Sequence, residues 1–140
     1  MGKDKMTATI LVIGEEHWDA EPFRIALSQA GYRVAAAETQ AAAGAIRRWR
    51  PALIVACMSG DKSADLNLCR KLFDLGSAPI IAIGSPQDRE CQLAVFDAGV
   101  DDYLTRPVNL QELIARVRTI LCRRCRVPSG PSDPDTGLVS

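Results

Sequence analysis

Five short apolar segments, separated by stretches with helical periodicity, constrain the fold of this chain more than any other feature. The apolar segments are residues 9–13, 33–37, 53–56, 80–83 and 102–104. Short apolar runs are typical of strands that are buried on both faces, and their alternation with helices is typical of a parallel sheet. The pattern therefore predicts a doubly wound α/β fold with a five-stranded parallel sheet. In such sheets ligands bind beyond the carboxyl ends of the strands.

The balance of charge and the terminal segments limit what the chain binds and where it acts. The 140 residues include 17 basic and 17 acidic side chains, which argues against bulk electrostatic binding of nucleic acid or membrane. No apolar run is long enough to cross a bilayer, and residues 1–6 lack the apolar core of a signal peptide, so we expect a cytoplasmic protein. We predict an N-terminal extension at 1–6, one folded domain at 7–125, and a flexible linker or tail at 126–140.

Most cysteines and large apolar side chains in the helical stretches have a structural interpretation. The odd number of cysteines, five, predicts reduced thiols. Cys122 and Cys125 have CxxC spacing, but their stretch is rich in Arg and offers no second ligand pair, so we interpret them as ordinary helix cysteines. Helical spacing predicts that Trp49, Leu93 and Phe96 face the core, with Cys91 as a further candidate.

The predicted carboxyl ends of the strands carry few groups that could perform chemistry. Gly14 and Glu15 follow the first apolar segment, Cys57 follows the third, and Gly84 follows the fourth. Arg106 lies after the fifth. These positions supply one carboxylate, one thiol and one guanidinium, and no nucleophile–base pair can be named among them. We therefore predict that the chain is not an enzyme and holds no metal.

Three segments of the sequence resemble the receiver domain of two-component response regulators. Residues 98–107, Ala-Gly-Val-Asp-Asp-Tyr-Leu-Thr-Arg-Pro, are similar to the family's Ala-Gly-Ala-Asp-Asp-Tyr-Leu-x-Lys-Pro segment. Residues 51–57 are similar to the strand that ends in the phosphoacceptor Asp, and residues 112–118 to the final helix of receivers with winged-helix output domains. The resemblance covers about 7–124 and implies sheet order 2-1-3-4-5 in a flavodoxin-like three-layer sandwich. It implies a signalling module with a sensor kinase and an output domain as partners.

The chain departs from the family at the positions on which phosphorylation depends. The family has two acids for Mg²⁺, the phosphoacceptor Asp, a Thr or Ser, and a Lys. The corresponding residues here are Gly14, Glu15, Cys57, Gly84 and Arg106. A thiol is a poor Mg²⁺ ligand and Gly offers no side chain, so we expect Mg²⁺ binding to be lost or very weak, with no other cofactor. Tyr103 matches the family's switch aromatic, whose burial follows movement of the hydroxyl, and with Gly84 beside it this coupling should be absent or different.

The resemblance also implies a homodimer through the fourth helix, fifth strand and fifth helix. Family members pair acidic and basic side chains across this surface. The matching residues here are Asp101 with Arg116, Asp102 with Arg123, and Glu112 with Gln92 in place of a basic partner. Two of the three pairs are thus retained. The alternative is that these residues are solvated surface charges, which contribute little to association. The leading hypothesis is a pseudo-receiver that acts without Asp phosphorylation, by dimerisation and control of an attached or partner output domain.

Two other functions are weighed against this hypothesis. Cys57 could be a thiol-based redox or ligand sensor, since Arg106 nearby would lower the pKa of its thiol, whereas an unreactive buried cysteine is the alternative. A flavin or nucleotide site is disfavoured, because residues 14–17, Gly-Glu-Glu-His, would repel phosphate.

Overall fold

The structure, a computed structural model, describes residues 7–16, 18–76, 78–87 and 89–126. Within these ranges the strands are β1 (Thr9–Gly14), β2 (Arg33–Glu38), β3 (Leu53–Cys57), β4 (Ile80–Gly84) and β5 (Asp102–Thr105). The helices are α1 (Glu21–Gln29), α2 (Ala42–Trp49), α3 (Lys62–Leu75), α4 (Arg89–Asp97) and α5 (Leu110–Arg126). A short 3-10 turn, Thr39–Ala41, precedes α2. The predicted extension at 1–6 and nearly all of the predicted tail at 126–140 lie outside the described residues.

The strands form one parallel sheet in the order β2-β1-β3-β4-β5, which confirms the predicted fold class and strand order. Every residue of β3 and β4 is buried, as the apolar runs predict for strands covered on both faces. Each strand is one residue longer than its predicted apolar segment. As a result Gly14, Cys57 and Gly84 are the last residues of their strands, at the carboxyl edge of the sheet.

Alternate strand residues pack against helices on opposite faces of the sheet, which gives the predicted three layers. On one face α2, α3 and α4 cover a core that includes Leu11, Ile54, Cys69, Leu72, Ala82 and Val95. On the other face α1 and α5 cover a core that includes Val12, Leu27, Val55, Ile81, Leu113 and Val117. None of the helices in the described ranges is long and apolar enough to span a bilayer.

Three helical side chains predicted to face the core are instead exposed. On α4, Leu93 is 66% exposed and Phe96 43% exposed, because Cys91 and Val95 are the residues that face the core. Trp49 is 39% exposed at the end of α2, where the Arg48 guanidinium lies 5.1 Å from the centre of its ring. The helical period identified amphipathic helices here but assigned these side chains to the wrong face.

Candidate functional site

The structure brings the predicted pocket residues together at the carboxyl edge of the sheet. A cleft of about 390 Å³ is lined by Glu15, Glu16, Trp18, Cys57, Met58, Ser59 and Arg106. It lies between the end of β1, the end of β3 and the turn after β5. Cys57 and Gly84 end neighbouring strands, with Cys57 beside Ile83 and Gly84 beside Thr105 in the ladder. Glu15, Cys57 and Arg106 therefore line one cleft, whereas Gly14 and Gly84 end the strands on either side of β3 and are not among its lining residues.

The indole of Trp18 occupies the space in front of Gly14. A Cβ built on Gly14 would overlap the Trp18 ring and lie 2.7 Å from its Cγ. The Trp18 backbone N–H donates to the Glu15 carbonyl at 3.0 Å, and this turn directs the ring back over the strand end. The ring also contacts Phe23, with centroids 5.7 Å apart. Where the family has the first acid, this chain has an aromatic ring.

Tyr103 occupies the corresponding space beside Gly84. A Cβ on Gly84 would overlap the Tyr103 hydroxyl and lie 2.8 Å from its Cζ. Tyr103 is partly buried against the core on the α2, α3 and α4 face, whereas Trp18 packs against the core on the opposite face. Each of the two glycines is thus matched by an aromatic ring that fills the space of its missing side chain.

Cys57 is a protonated thiol at neutral pH. The residue is only 4% exposed, and this burial raises the pKa of the thiol from 9.0 to about 12. The positive charge of Arg106 lowers the pKa, but by less than burial raises it. The charge of Arg106 acts in the direction that the sensor hypothesis requires, but desolvation outweighs it and the pKa of Cys57 is raised. This observation favours the unreactive buried cysteine over the thiol sensor.

Alkaline pH is expected to destabilise the fold through this thiol. The folded pKa, about 12, is above the ordinary 9.0, so between these values the unfolded chain loses the proton first and stability falls as pH rises. One such group accounts for about 1.4 kcal/mol per pH unit. Urea unfolding at about pH 8 and about pH 10 should therefore show a smaller loss in Cys57→Ala than in the unmodified chain. The exposed Cys122→Ser is the control, and equal losses in all three proteins would contradict the prediction.

Arg106 connects the turn after β5 to the loop after β3. Its guanidinium Nη2 donates to the Met58 carbonyl oxygen at 2.7 Å, and its backbone N–H donates to the Gly84 carbonyl at 2.8 Å. Glu15 and Glu16 line the same cleft, yet within the described ranges the guanidinium forms no ion pair. Arg106 therefore keeps a positive charge at the edge of the pocket.

Asp65 also belongs to this site, although it was not predicted from the sequence. It lies in the first turn of α3 and is only 3% exposed. One carboxylate oxygen accepts hydrogen bonds from the Ser59 N–H and hydroxyl, both at 2.8 Å, and the other accepts from the Gly60 N–H at 3.0 Å. Asp65 thereby holds the loop that follows Cys57. A signal was present, since an acid here shares the helical spacing of the buried Cys69 and Leu72.

The predicted dimer residues also lie close together. A cleft of about 420 Å³ is lined by Asp101, Asp102, Arg116, Thr119, Ile120 and Arg123. Glu112 joins this group through Arg116, but Gln92, partly buried on α4, is not among the lining residues. Glu112, Arg116, Thr119 and Arg123 lie on one exposed stripe of α5, whereas Ile120 is buried against the core.

The pairing of these charges within one chain differs from the pairs named from the sequence. Arg116 donates to Asp102 at 2.8 Å and to Glu112 at 3.1 Å, and the hydrogen bond to Asp102 raises the pKa of Arg116. Asp101 instead accepts from the Ile80 N–H at 2.8 Å, because it lies beside the start of β4. Asp101 is thus a structural residue of the chain, and pairing between two copies stays a prediction.

The sheet order, together with the Asp-Asp-Tyr-Leu strand and the Arg-Pro turn at the carboxyl edge, defines the class of this protein. Solved structures share the architecture. A two-component response regulator from Clostridium difficile superposes with a TM-score of 0.75 at 26% identity, over 86% of this chain and 99% of that chain. The receiver domain of the TMAO respiratory system response regulator TorR superposes with a TM-score of 0.75 at 26% identity, over 83% of this chain and 98% of that chain. The chain belongs to the response-regulator receiver domains.

Sequence relatives agree with this assignment. The chain is similar to response regulator MprA from Mycobacterium sp. (strain KMS), at 34% identity over 131 residues, which are 92% of this chain and 56% of the relative. The chain therefore spans about half the length of the curated relatives it matches. No family model matches the chain.

Proposed function

We propose that this receiver domain takes part in two-component signalling without phosphorylation of an aspartate. In this proposal it is a cytoplasmic, non-enzymatic module that dimerises through α4, β5 and α5 and controls an output domain, either attached or on a partner protein. A sensor kinase is a further partner. The observation that carries the proposal is the filling of two pocket positions by aromatic rings, Trp18 at Gly14 and Tyr103 at Gly84.

The chemistry of the pocket supports the absence of a Mg²⁺ ion. Mg²⁺ requires near-octahedral coordination by oxygen ligands, including carboxylates. Gly14 supplies no ligand, Trp18 covers its place, and Cys57 presents a neutral thiol. The described residues contain no group of three or more His, Cys, Asp or Glu side chains placed to hold a metal ion. These residues do not fit Mg²⁺, and the proposal assigns the site neither metal nor cofactor.

The position of Tyr103 supports a receiver with one resting conformation. In the family, the switch aromatic becomes buried after the hydroxyl at the end of the fourth strand moves. Here Gly84 has no hydroxyl, and Tyr103 already fills the space beside it. We propose that the α4, β5 and α5 surface is therefore held in one conformation, whatever the state of an upstream kinase.

The composition of this surface supports association with a second copy. The described part of the surface presents acids and arginines together around the cleft at Arg116 and Arg123. It also exposes large apolar side chains on α4, Leu93 and Phe96. A surface that combines apolar contact area with charges of both signs is suited to a specific, two-fold symmetric contact.

Charge reversal on this surface is expected to dissociate the dimer. Arg123→Glu places a negative charge beside Asp101 and Asp102, and like charges across an interface cost several kcal/mol, so we expect the dimer dissociation constant to rise by tenfold or more. Sedimentation equilibrium measures it. Arg118→Glu, at another exposed arginine of α5 that does not line the cleft, is the matched control and should leave the constant unchanged.

Sedimentation equilibrium also tests whether dimerisation is independent of phosphorylation. Beryllofluoride with Mg²⁺, which imitates the phosphoryl group in this family, is expected to leave the dissociation constant unchanged. A chain that is monomeric at high concentration, or one that dimerises only after beryllofluoride is added, would refute the proposed function.

A further inference from the structure

A second and larger cleft adjoins the cleft that is lined by Glu15, Cys57 and Arg106. Its volume is about 870 Å³, and it lies between the start of α1, the turn after β4 and the turn after β5. Its walls are Trp18, Pro22, Phe23, Ile83, Pro86, Pro107, Val108 and Leu110, and its polar lining is Cys57, Ser85, Gln87 and Arg106. Small-molecule sites have volumes of about 300–1,000 Å³ and mainly apolar walls with a few polar groups. This cleft meets that description at the edge of the sheet where such folds bind ligands.

The cleft has a single charged residue among the described residues that line it, Arg106. The acidic residues nearby, Glu15 and Glu16, line the smaller cleft instead. Arg106 is an exposed residue, and its guanidinium uses Nη2 to donate to the Met58 carbonyl oxygen at 2.7 Å. A guanidinium has five donor hydrogens in a planar fork, so donors remain for a ligand. The planar partner that matches this fork is a carboxylate.

We propose that this cleft binds a small aromatic or branched aliphatic carboxylate. The apolar body of the ligand contacts Trp18, Val108 and Leu110, and its carboxylate accepts hydrogen bonds from Arg106. Charge complementarity selects this occupant, because a neutral apolar ligand leaves the guanidinium without a counter-charge and a cation is repelled by it. The inference goes beyond the proposed function, because it assigns a ligand to a cleft beside the position where the family has a phosphoryl group.

Binding of a model ligand tests the proposal. The probes are 3-phenylpropionate and its neutral analogue 3-phenyl-1-propanol, added to Trp49→Phe protein, in which Trp18 is the one remaining tryptophan of the chain. The readout is the indole N–H resonance of Trp18. We expect a saturable shift with the carboxylate and at least roughly tenfold weaker binding of the alcohol, because hydrogen bonds to charged groups contribute about 1.5–3 kcal/mol.

Two substitutions locate the site. Arg106→Gln should weaken binding of the carboxylate to the level of the alcohol and leave binding of the alcohol unchanged. Arg118→Gln, an exposed arginine on α5 away from the cleft lining, is the matched control and should change neither. If Arg106→Gln does not fold, the comparison of the two probes on protein that retains Arg106 decides the question by itself.

Several outcomes would overturn the inference. They are the absence of a saturable shift up to the solubility limit, equal affinity for the two probes, and an unchanged affinity in Arg106→Gln. Saturation by an apolar peptide but not by the carboxylate would also reject it. The proposed function is judged separately, because the dimer dissociation constant is measured without any probe and depends on residues of the α4, β5 and α5 surface.

Discussion

The Cys57→Asp variant is not expected to become phosphorylated. The variant that also carries Gly14→Asp, Gly84→Thr and Arg106→Lys is not expected to become phosphorylated either. The four substitutions restore the residue types of the family, but they do not restore the empty space that these side chains need at positions 14 and 84. A Cβ at position 14 would overlap Trp18, and a Cβ at position 84 would overlap Tyr103. The new side chains must therefore displace an aromatic ring or distort the strand ends. A displaced Trp18 ring or a distorted end of β1 does not give Mg²⁺ the near-octahedral oxygen geometry that it requires.

Phosphorylation is expected to appear when the two rings are removed as well. Trp18→Ala and Tyr103→Ala, added to the four substitutions, open the spaces in front of both strand ends. Transfer from acetyl phosphate to Asp at position 57, with release of acetate, is measured by intact-protein mass spectrometry in the presence of Mg²⁺. The matched control replaces Trp18→Ala by Trp49→Ala, which removes an exposed aromatic on α2 instead.

The same variants give a stability measurement that does not depend on phosphorylation. Overpacking by a side chain at position 14 or 84 is expected to cost about 1–3 kcal/mol of unfolding free energy. The cost should largely vanish when the facing aromatic is truncated, so the double-mutant coupling energies should be favourable. Phosphorylation of Cys57→Asp alone, or coupling energies near zero for both pairs, would contradict the assignment of the rings as the obstacle.

The fold and the location of the site could be predicted because they depend on local patterns. Apolar runs identify the strands, and the carboxyl edge of a parallel sheet identifies where their last residues meet. The sequence shows that glycines at 14 and 84 replace an acid and a hydroxyl residue of the family. The residues that fill the vacated spaces could not, since the position of Trp18 depends on its turn with Glu15 and that of Tyr103 on the pairing of β4 with β5.

The errors of prediction have a common physical origin in tertiary burial. The sign of the Cys57 pKa shift depends on whether desolvation or the charge of Arg106 is larger, and the sequence shows only the charge. The orientation of α4 depends on tertiary packing, which buries Cys91 and Val95 and leaves Leu93 and Phe96 exposed. Asp65 escaped notice because its three hydrogen bonds form only when α3 packs beside the loop after β3.

Asp65→Ala is expected to destabilise the chain by about 2–4 kcal/mol, because it removes one buried carboxylate that accepts three hydrogen bonds. Asp65→Asn keeps part of the acceptor capacity and should cost about half as much. Asp74→Ala, an exposed acid near the other end of α3, is the matched control and should change stability by less than about 0.5 kcal/mol. Urea unfolding measures all three, and a cost below about 1 kcal/mol for Asp65→Ala would show that the loop does not depend on this carboxylate.

Removal of the Asp65 carboxylate should also change the structure of the pocket, in addition to lowering the free energy of unfolding. Ser59 and Gly60 follow Met58, whose carbonyl oxygen accepts the hydrogen bond of Arg106 at 2.7 Å. When Asp65 no longer holds this loop, the Met58 carbonyl loses its position and Arg106 loses its acceptor. The amide resonances of Met58 and the guanidinium resonances of Arg106 should therefore shift in Asp65→Ala and stay in place in Asp74→Ala. Asp65 would then be the residue through which α3 positions Arg106, the charged residue that lines both clefts at the carboxyl edge of the sheet.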